Sequence, residues 1–523
     1  MSFNSALFIF GFLPSAVLGY YLIALTRLHL LRLPFLICAT LLFYAKGSAN
    51  FVPLLLGSVA FNYMCGWIMQ RSPQPWKRSI LMLGVCANLA ALLWFKYANF
   101  LVDSLAMSFG LDIALGRIAL PLAISFYTFQ QIAHLVDLSR GRIEAPRIVD
   151  YFAFILFFPQ LLAGPISLSR EIIPQLRHRP VAQHVLSNIL IGSIIFGIGL
   201  FKKTVIADSF AFWTGPMFDA AATGQTPSFV AAWGGVLAYT NQVYFDFSGY
   251  SDMAIGIARM FGILLPLNFH SPLRAHSITE LWRRWHITLG RFVQSYIFQP
   301  LAVPLTRLAA SIGLGKGGSL VIATLFPTFL AMIIIGAWHG ASWTFVLFGV
   351  MHGTFIVINE TWNFMMKARR KKSKGLKTAD PSILAKFKFP WGVPLTFLCF
   401  AIAIVPFRSA DLPTTGRIFS AMLYVAVPTP WEEWSVLAPL GAWGLFPLIA
   451  LGIAIIWVMP NTQQIMTRIS PVLDWERWQK IDASTIGIEW RPAIFPTLIA
   501  GAVLMFGIIC IARGSTQFVY FAF

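Results

Sequence analysis

An all-α protein that crosses a membrane many times is what this 523-residue sequence predicts, and three observations carry the prediction. Only 11% of its residues are charged while 57% are hydrophobic. Soluble domains carry about a quarter charged residues, so a surface wetted all round is out of reach. Apolar runs of the roughly 20 residues needed for a bilayer crossing recur from end to end. The Lys and Arg behind the net charge of +19 gather in short loops between those runs, as the positive-inside bias requires. Disorder, a secreted disulfide scaffold and a soluble multidomain enzyme are thereby excluded. Nucleic-acid binding, which this charge would suggest in a soluble chain, gives way to the topological reading. The five cysteines (Cys38, Cys65, Cys86, Cys399 and Cys510) are scattered in apolar surroundings without paired spacing, which predicts buried free thiols.

Taken in order, the clear apolar runs lie near 5–25, 33–46 with 48–69, 79–101, 149–167, 185–206, 228–247, 319–338, 341–364, 390–408, 442–459 and 493–512. Four more, 116–137, 253–266, 290–306 and 413–427, are short or interrupted by polar residues. About 10–13 transmembrane or re-entrant helices result, re-entrant backbone being tolerated where protein or water covers it. The first run has no basic leader, and Arg27 and Arg32 follow it; this predicts an uncleaved first span with its N-terminus outside. The run Lys367, Arg369, Arg370, Lys371, Lys372, Lys374 and Lys377 marks an inside loop. Arg140, Arg142, Arg147, Arg170, Arg177 and Arg179 flank 149–167 on both sides. The two ends of a full crossing cannot both be inside, so a half-span or surface segment is implied there. Residues 461–492 read as a polar loop or surface helix without chemistry.

Ionisable groups at membrane depth are expensive and default to function. In Ser277-Ile-Thr-Glu-Leu-Trp-Arg-Arg-Trp-His286-Ile-Thr-Leu, Ser277 and Glu280 have capping-box spacing. Leu281, Trp285 and Leu289 then form one apolar helix face, with Arg283 and Arg284 opposite; His286 lies on this interfacial helix. In Gly336-Ala-Trp-His339-Gly-Ala-Ser-Trp343, an imidazole stands between two tryptophans. Gly336 with Gly340, and Gly349 with Gly353, have the small-residue spacing that lets helices approach closely. The basic run places the end of 341–364 inside, so His339 belongs to the outer half of the membrane and the helix of His286 to the inner side. Two histidines approaching one site from opposite faces suit a reaction that joins an inside donor to an outside acceptor.

His352 lies thirteen residues beyond His339, an advance of roughly 220° beyond whole turns on one helix; packing or hydrogen bonding accounts for it as well as chemistry does. In Tyr244-Phe-Asp246-Phe-Ser-Gly-Tyr-Ser-Asp252, two carboxylates six apart share no helix face, which disfavours a glycosidase pair. Asp246 or Asp252 is expected to orient an imidazole or pair with an arginine. His134 and Asp137, three apart, suggest a local structural bond. Walker A, GxSxG, HExxH and Rossmann patterns are missing from suitable contexts.

Together these strings resemble the membrane-bound O-acyltransferase superfamily, in its branch of bacterial alginate O-acetyltransferase membrane subunits, related to the D-alanyl-transferring membrane protein of teichoic acid modification. The resemblance is carried by Leu120–Gln130, Phe157–Pro165, Tyr244–Asp252, the Ser277–Leu289 string, Gly336–Gly340, Pro460-Asn-Thr-Gln-Gln464 and the aromatic terminus Phe518–Phe523. It implies a helix bundle with inner and outer funnels meeting at a waist. The family's catalytic histidine falls on His339 and its second functional histidine on His286. Asn268 matches a polar family position, whereas Leu273 stands where the family's NFxxPY string has tyrosine. Supporting roles are expected for Asn268, Asp246, Asp252 and His352.

The implied regions are N-terminal transmembrane helices at 1–115, the catalytic core at 116–365, a basic cytoplasmic loop at 366–389, and C-terminal transmembrane helices at 390–523 that include the 461–492 loop. The implied activity is O-acyl transfer in the bacterial inner membrane, moving acetyl from cytoplasmic acetyl-CoA, or another acyl thioester, to an extracytoplasmic polysaccharide or a periplasmic acetyltransferase partner. No permanently bound cofactor, metal or nucleic acid is expected. The alternative is a transporter or flippase of an acyl or glycan intermediate, which would more often show inverted repeats and broken helices.

Overall fold

The computed structural model describes residues 1–113, 115–373, 391–424, 441–481 and 486–512, together with Gly514, Thr516, Phe518 and Val519. Lys374 and Lys377 of the basic run, Asp482 of the polar loop and the last four residues of the aromatic terminus lie outside the described residues. The described residues are 78% helical. Among the described residues, seven helical stretches have the length and composition to cross a membrane: Leu7–Ala24, His29–Arg71, Gln74–Phe109, Ala182–Ala222, Lys316–His339, Trp343–Arg369 and Ile494–Ile511. Gly392–Arg408 and Gly444–Val458 are shorter apolar helices. These stretches leave large side chains such as Phe10, Leu42, Met82 and Leu498 exposed, the all-round apolar character of helices meant for lipid. Cys38 and Cys86 share that exposure and Cys399 is half-buried, so the expected burial of all five free thiols holds only for Cys65 and Cys510.

The run at 149–167 is not a crossing. It folds as two short helices, Ile148–Ile155 and Phe158–Leu161, whose Tyr151, Phe154, Phe157 and Phe158 are fully buried. Its apolar character serves the protein interior rather than lipid, which resolves the conflict posed by arginines at both ends. The 116–137 run is helical only from Ile124.

The fold divides into two compact units. The first comprises Met1–Asp208, Phe245–Asn268 and Pro460–Phe523; the second comprises Ser209–Tyr244 and Phe269–Met459. In the first, glycine seams let helices cross closely. A Cβ on Gly199 would stand 2.6 Å from the Gly249 carbonyl oxygen, and one on Gly192 would stand 2.5 Å from that of Gly256. Beside this seam the backbone widens into a π turn, Lys202–Ala207. Lys202 there reaches Asp252 at 2.7 Å and Lys203 reaches Asp246 at 2.7 Å and Asp208 at 2.8 Å.

In the second unit, the Phe326–His339 and Trp343–Ser373 helices pack through Gly336 and Gly349. A Cβ on Gly349 would sit 2.5 Å from the Met332 carbonyl oxygen, so the predicted small-residue seam is present. Gly340 leaves the first helix in extended conformation (φ −160°, ψ 156°) against the Phe345 ring. His339 and His352 therefore stand on two separate helices.

Candidate active site

The Ser277 segment begins as its spacing predicts and then departs from it. The Ser277 hydroxyl accepts the Glu280 amide at 3.2 Å, while the Glu280 carboxylate accepts the amide of His276 at 2.8 Å, one residue earlier than in the usual capping box. The helix spans only Ile278–Arg284; a second starts at Ile287 and continues to Val293. Between them Trp285 is extended and His286 is left-handed (φ 43°, ψ 52°). A single interfacial helix is thus corrected to a broken one. The break turns Trp285 and His286 inward together, at 6% and 1% exposure. On one helix, neighbouring residues would point about 100° apart. A left-handed non-glycine residue is costly and persists where surrounding structure over-determines it, often at functional sites. The Arg284 carbonyl, freed at the helix end, accepts the amide of His270 at 3.0 Å. Arg284 itself is buried and pairs with Glu280, leaving Arg283 as the exposed charge.

The Trp338 ring is in contact with both of the histidines singled out in the sequence. Its centroid lies 6.1 Å from that of His286 and 5.1 Å from that of His339. His339, the last residue of its helix, is 7% exposed. Phe407 and Phe348 meet its ring at 5.1 and 5.8 Å, both edge-on. His286 in turn lies against Phe269. The two imidazoles therefore share one buried aromatic shell. His352 joins that shell: its ring is 4.6 Å from Phe348, and its Nδ1 accepts the Trp282 indole N–H at 3.3 Å. A neutral His352 consequently carries its proton on Nε2. Thr279, donating to Asn359 at 2.7 Å or Glu360 at 2.8 Å, ties the same short helix to the Trp343–Ser373 helix.

The other expected residues fall in the first unit. Asp246 is held by Lys203 and by the Val519 amide at 2.8 Å. Asp252 is held by Lys202, Thr462 and Gln463, the last two at 2.6 Å. Among the described residues, neither meets an imidazole or an arginine, because the π turn presents two consecutive lysines to them. Thr462 and Gln463 also give the polar 461–492 stretch an interior role that its composition hid. Asn268 donates to the Ser251 hydroxyl at 3.1 Å. His134 and Asp137 do not bond each other: His134 Nδ1 meets the Ser169 hydroxyl at 3.0 Å, and Asp137 pairs with Arg142 and Arg170. Among the described residues, no three His, Cys, Asp or Glu converge as metal ligands do.

Sequence reasoning missed Phe348 and Phe407, which read as ordinary apolar residues, and the inward turn at Trp285–His286, where neither glycine nor proline marks a break. Trp338 could have been found, since it adjoins His339 in the same string.

Residues 117–377 match the family model for MBOAT, the membrane-bound O-acyltransferase family. A peptidoglycan O-acetyltransferase of Helicobacter pylori is 37% identical over 450 residues, covering 80% of this chain and 79% of that protein. The chain belongs to the membrane-bound O-acyltransferase family. Another relative, a probable alginate O-acetylase AlgI of Azotobacter vinelandii, is 36% identical over 81% of this chain and 78% of its own length. A teichoic acid D-alanyltransferase of Streptococcus thermophilus is 27% identical over 53% of this chain and 65% of its own. This membrane-bound O-acyltransferase is thus a multi-pass acyltransferase, and His286, Trp338, His339 and Phe348 lie within the matched region, whereas Phe407 lies beyond it.

Proposed function

We propose that this acyltransferase moves acetyl from a cytoplasmic thioester, acetyl-CoA, across the inner membrane for O-acetylation of an extracytoplasmic polysaccharide, directly or through a periplasmic partner. The observation that carries the reading is that His286 and His339 both contact Trp338 within a buried aromatic shell. The relatives named for O-acetylation of peptidoglycan and alginate support a polysaccharide acceptor.

A thioester is already activated, whereas a sugar hydroxyl is a poor nucleophile at neutral pH. His339 takes the hydroxyl proton as the oxygen attacks the acetyl carbonyl; the C–S bond breaks, and the departing thiolate recovers a proton. An oxygen ester and a free thiol result. Positioned general-base catalysis of this kind contributes about 10²–10⁴-fold. The positive charge developing on His339 sits at the carbonyl end of its helix, where the backbone dipole favours cations. His286, fixed by its constrained backbone, orients the acyl group and donates to the developing oxyanion. The surrounding rings exclude water that would hydrolyse the thioester.

The test is labelled acetyl transfer in proteoliposomes loaded with acetyl-CoA, comparing wild type with His339→Ala and His286→Ala. Both variants should fold and lose at least about 10²-fold in rate. Normal transfer by both folded variants overturns the reading. Label that crosses the bilayer without becoming an ester would instead establish transport.

A further inference from the structure

Outside the aromatic shell, the first unit carries a built cationic surface that none of the steps assigned to His286 and His339 uses. Asp137 is buried and receives Arg142 at 3.2 Å and Arg170 at 2.8 Å. Asp150 is fully buried. It receives both arms of Arg147 at 3.0 Å and the Nε of Arg177 at 2.9 Å. Burial would push the Asp150 carboxyl up, but the hydrogen bonds from Arg147 and Arg177 outweigh it and hold the group below its usual range. Each carboxylate cancels one of the two guanidinium charges it receives, so counted over these six side chains alone each cluster keeps +1. The four guanidiniums are thus held in place, while their side chains remain 37–69% exposed and offer the N–H groups that the carboxylates do not use. Arg170 and Arg177 are seven residues apart on the Ser169–Arg177 helix. That separation is two turns, so the clusters share one face about 10 Å apart.

Connectivity places this face at the membrane boundary. Arg179 donates to the carbonyls of Ala24, Leu25 and Thr26, where the first apolar span ends. Arg32 donates to the carbonyls of Leu176 and Arg177, where the second apolar stretch begins. The turn between those stretches exposes Leu28, Leu30 and Leu31 at 60%, 72% and 51%. Beside Arg147, Ile148 is 52% exposed. A site for a dissolved anion has no need of leucines facing outward. Acyl chains do, and guanidinium forks match a phosphate's oxygens.

We propose that this face binds the headgroup phosphate of an anionic phospholipid, whose acyl chains lie along the exposed leucines. The test uses full-length protein in detergent and native mass spectrometry with equimolar phosphatidylglycerol and phosphatidylcholine of identical chains. Wild type should retain the anionic lipid about tenfold better. Arg142→Gln with Arg147→Gln leaves each carboxylate one arginine but removes both residual charges, so retention of the two lipids should become equal. The corresponding double lysine variant keeps the charges and should keep most of the preference. If the glutamine pair fails to fold, either single glutamine variant should show an intermediate preference. Equal retention by wild type, or an unchanged preference in the glutamine variants, overturns the proposal. So does complete release of bound phosphatidylglycerol by millimolar inorganic phosphate, which would assign the face to a free anion.

Discussion

Replacing Gly349 with alanine perturbs the candidate site without touching either histidine. The added Cβ would lie 2.5 Å from the Met332 carbonyl oxygen and 2.9 Å from the Ile333 Cα, whereas ordinary contact begins at 3.4 Å. Both atoms belong to backbone and cannot swing aside, so the crossing must open by about 0.9 Å. Met332 lies two turns before His339 on the same helix. The helix is stiff over that length and carries the shift to the imidazole. A misplacement near 1 Å costs about 10²-fold in rate, and overpacking costs about 1–3 kcal/mol in stability. The assay pairs initial rates of labelled acetyl transfer in proteoliposomes with unfolding of the same preparation. Gly57→Ala is the control, because nothing beyond its chain neighbours and its own helix backbone lies within 4 Å of the Cβ there. It should transfer normally and be unchanged or more stable, alanine being the better helix former. A Gly349→Ala protein that transfers at the wild-type rate refutes the claim that this crossing positions His339.

Other outcomes test separate parts of the structure. His286→Gly and His286→Ala remove the same ring, but only glycine relieves the left-handed backbone. Both should be inactive, with the glycine variant more stable by about 1–2 kcal/mol in denaturant unfolding; equal stability would remove the strain argument. Lys203→Met strands the fully buried Asp246 as well as Asp208 and should cost about 3–5 kcal/mol. Asp246→Asn should cost less, because Lys203 keeps Asp208, and the double variant should recover part of the Lys203→Met loss. Asp150 has a depressed folded-state pKa, so its stabilisation is fully present above the unfolded value of 3.8 and is lost as pH falls through the folded one. The stability gap between wild type and Asp150→Asn should therefore hold at neutral pH and close on acidification below that value; a gap independent of pH would be the contrary result.

The helical, membrane-spanning class was legible in the sequence because its cause is compositional: lipid-facing helices such as Ile494–Ile511 must be apolar all round, and no packing partner can alter that requirement. The glycine seam at Gly336 and Gly349 was legible for a related reason, since only a missing side chain permits such an approach. His286 and His339 stood out because an imidazole among tryptophans at membrane depth needs a purpose. The 149–167 run read as a half-span or surface segment, and its burial inside the protein escaped that reading because hydrophobicity is the same whether a segment faces lipid or protein.

What the sequence determined by itself was therefore the solvent of each segment and the identity of the groups worth their desolvation. Tertiary structure alone decided their partners. It broke the helix at His286 so that two adjacent residues both turn inward, brought Trp338 against both histidines, drew Phe407 from a distant apolar helix, and gave Asp246 and Asp252 to lysines of a π turn. Composition acts residue by residue on transfer from water. Partnership depends on backbone geometry set by contacts far apart in the chain, which a local pattern does not encode.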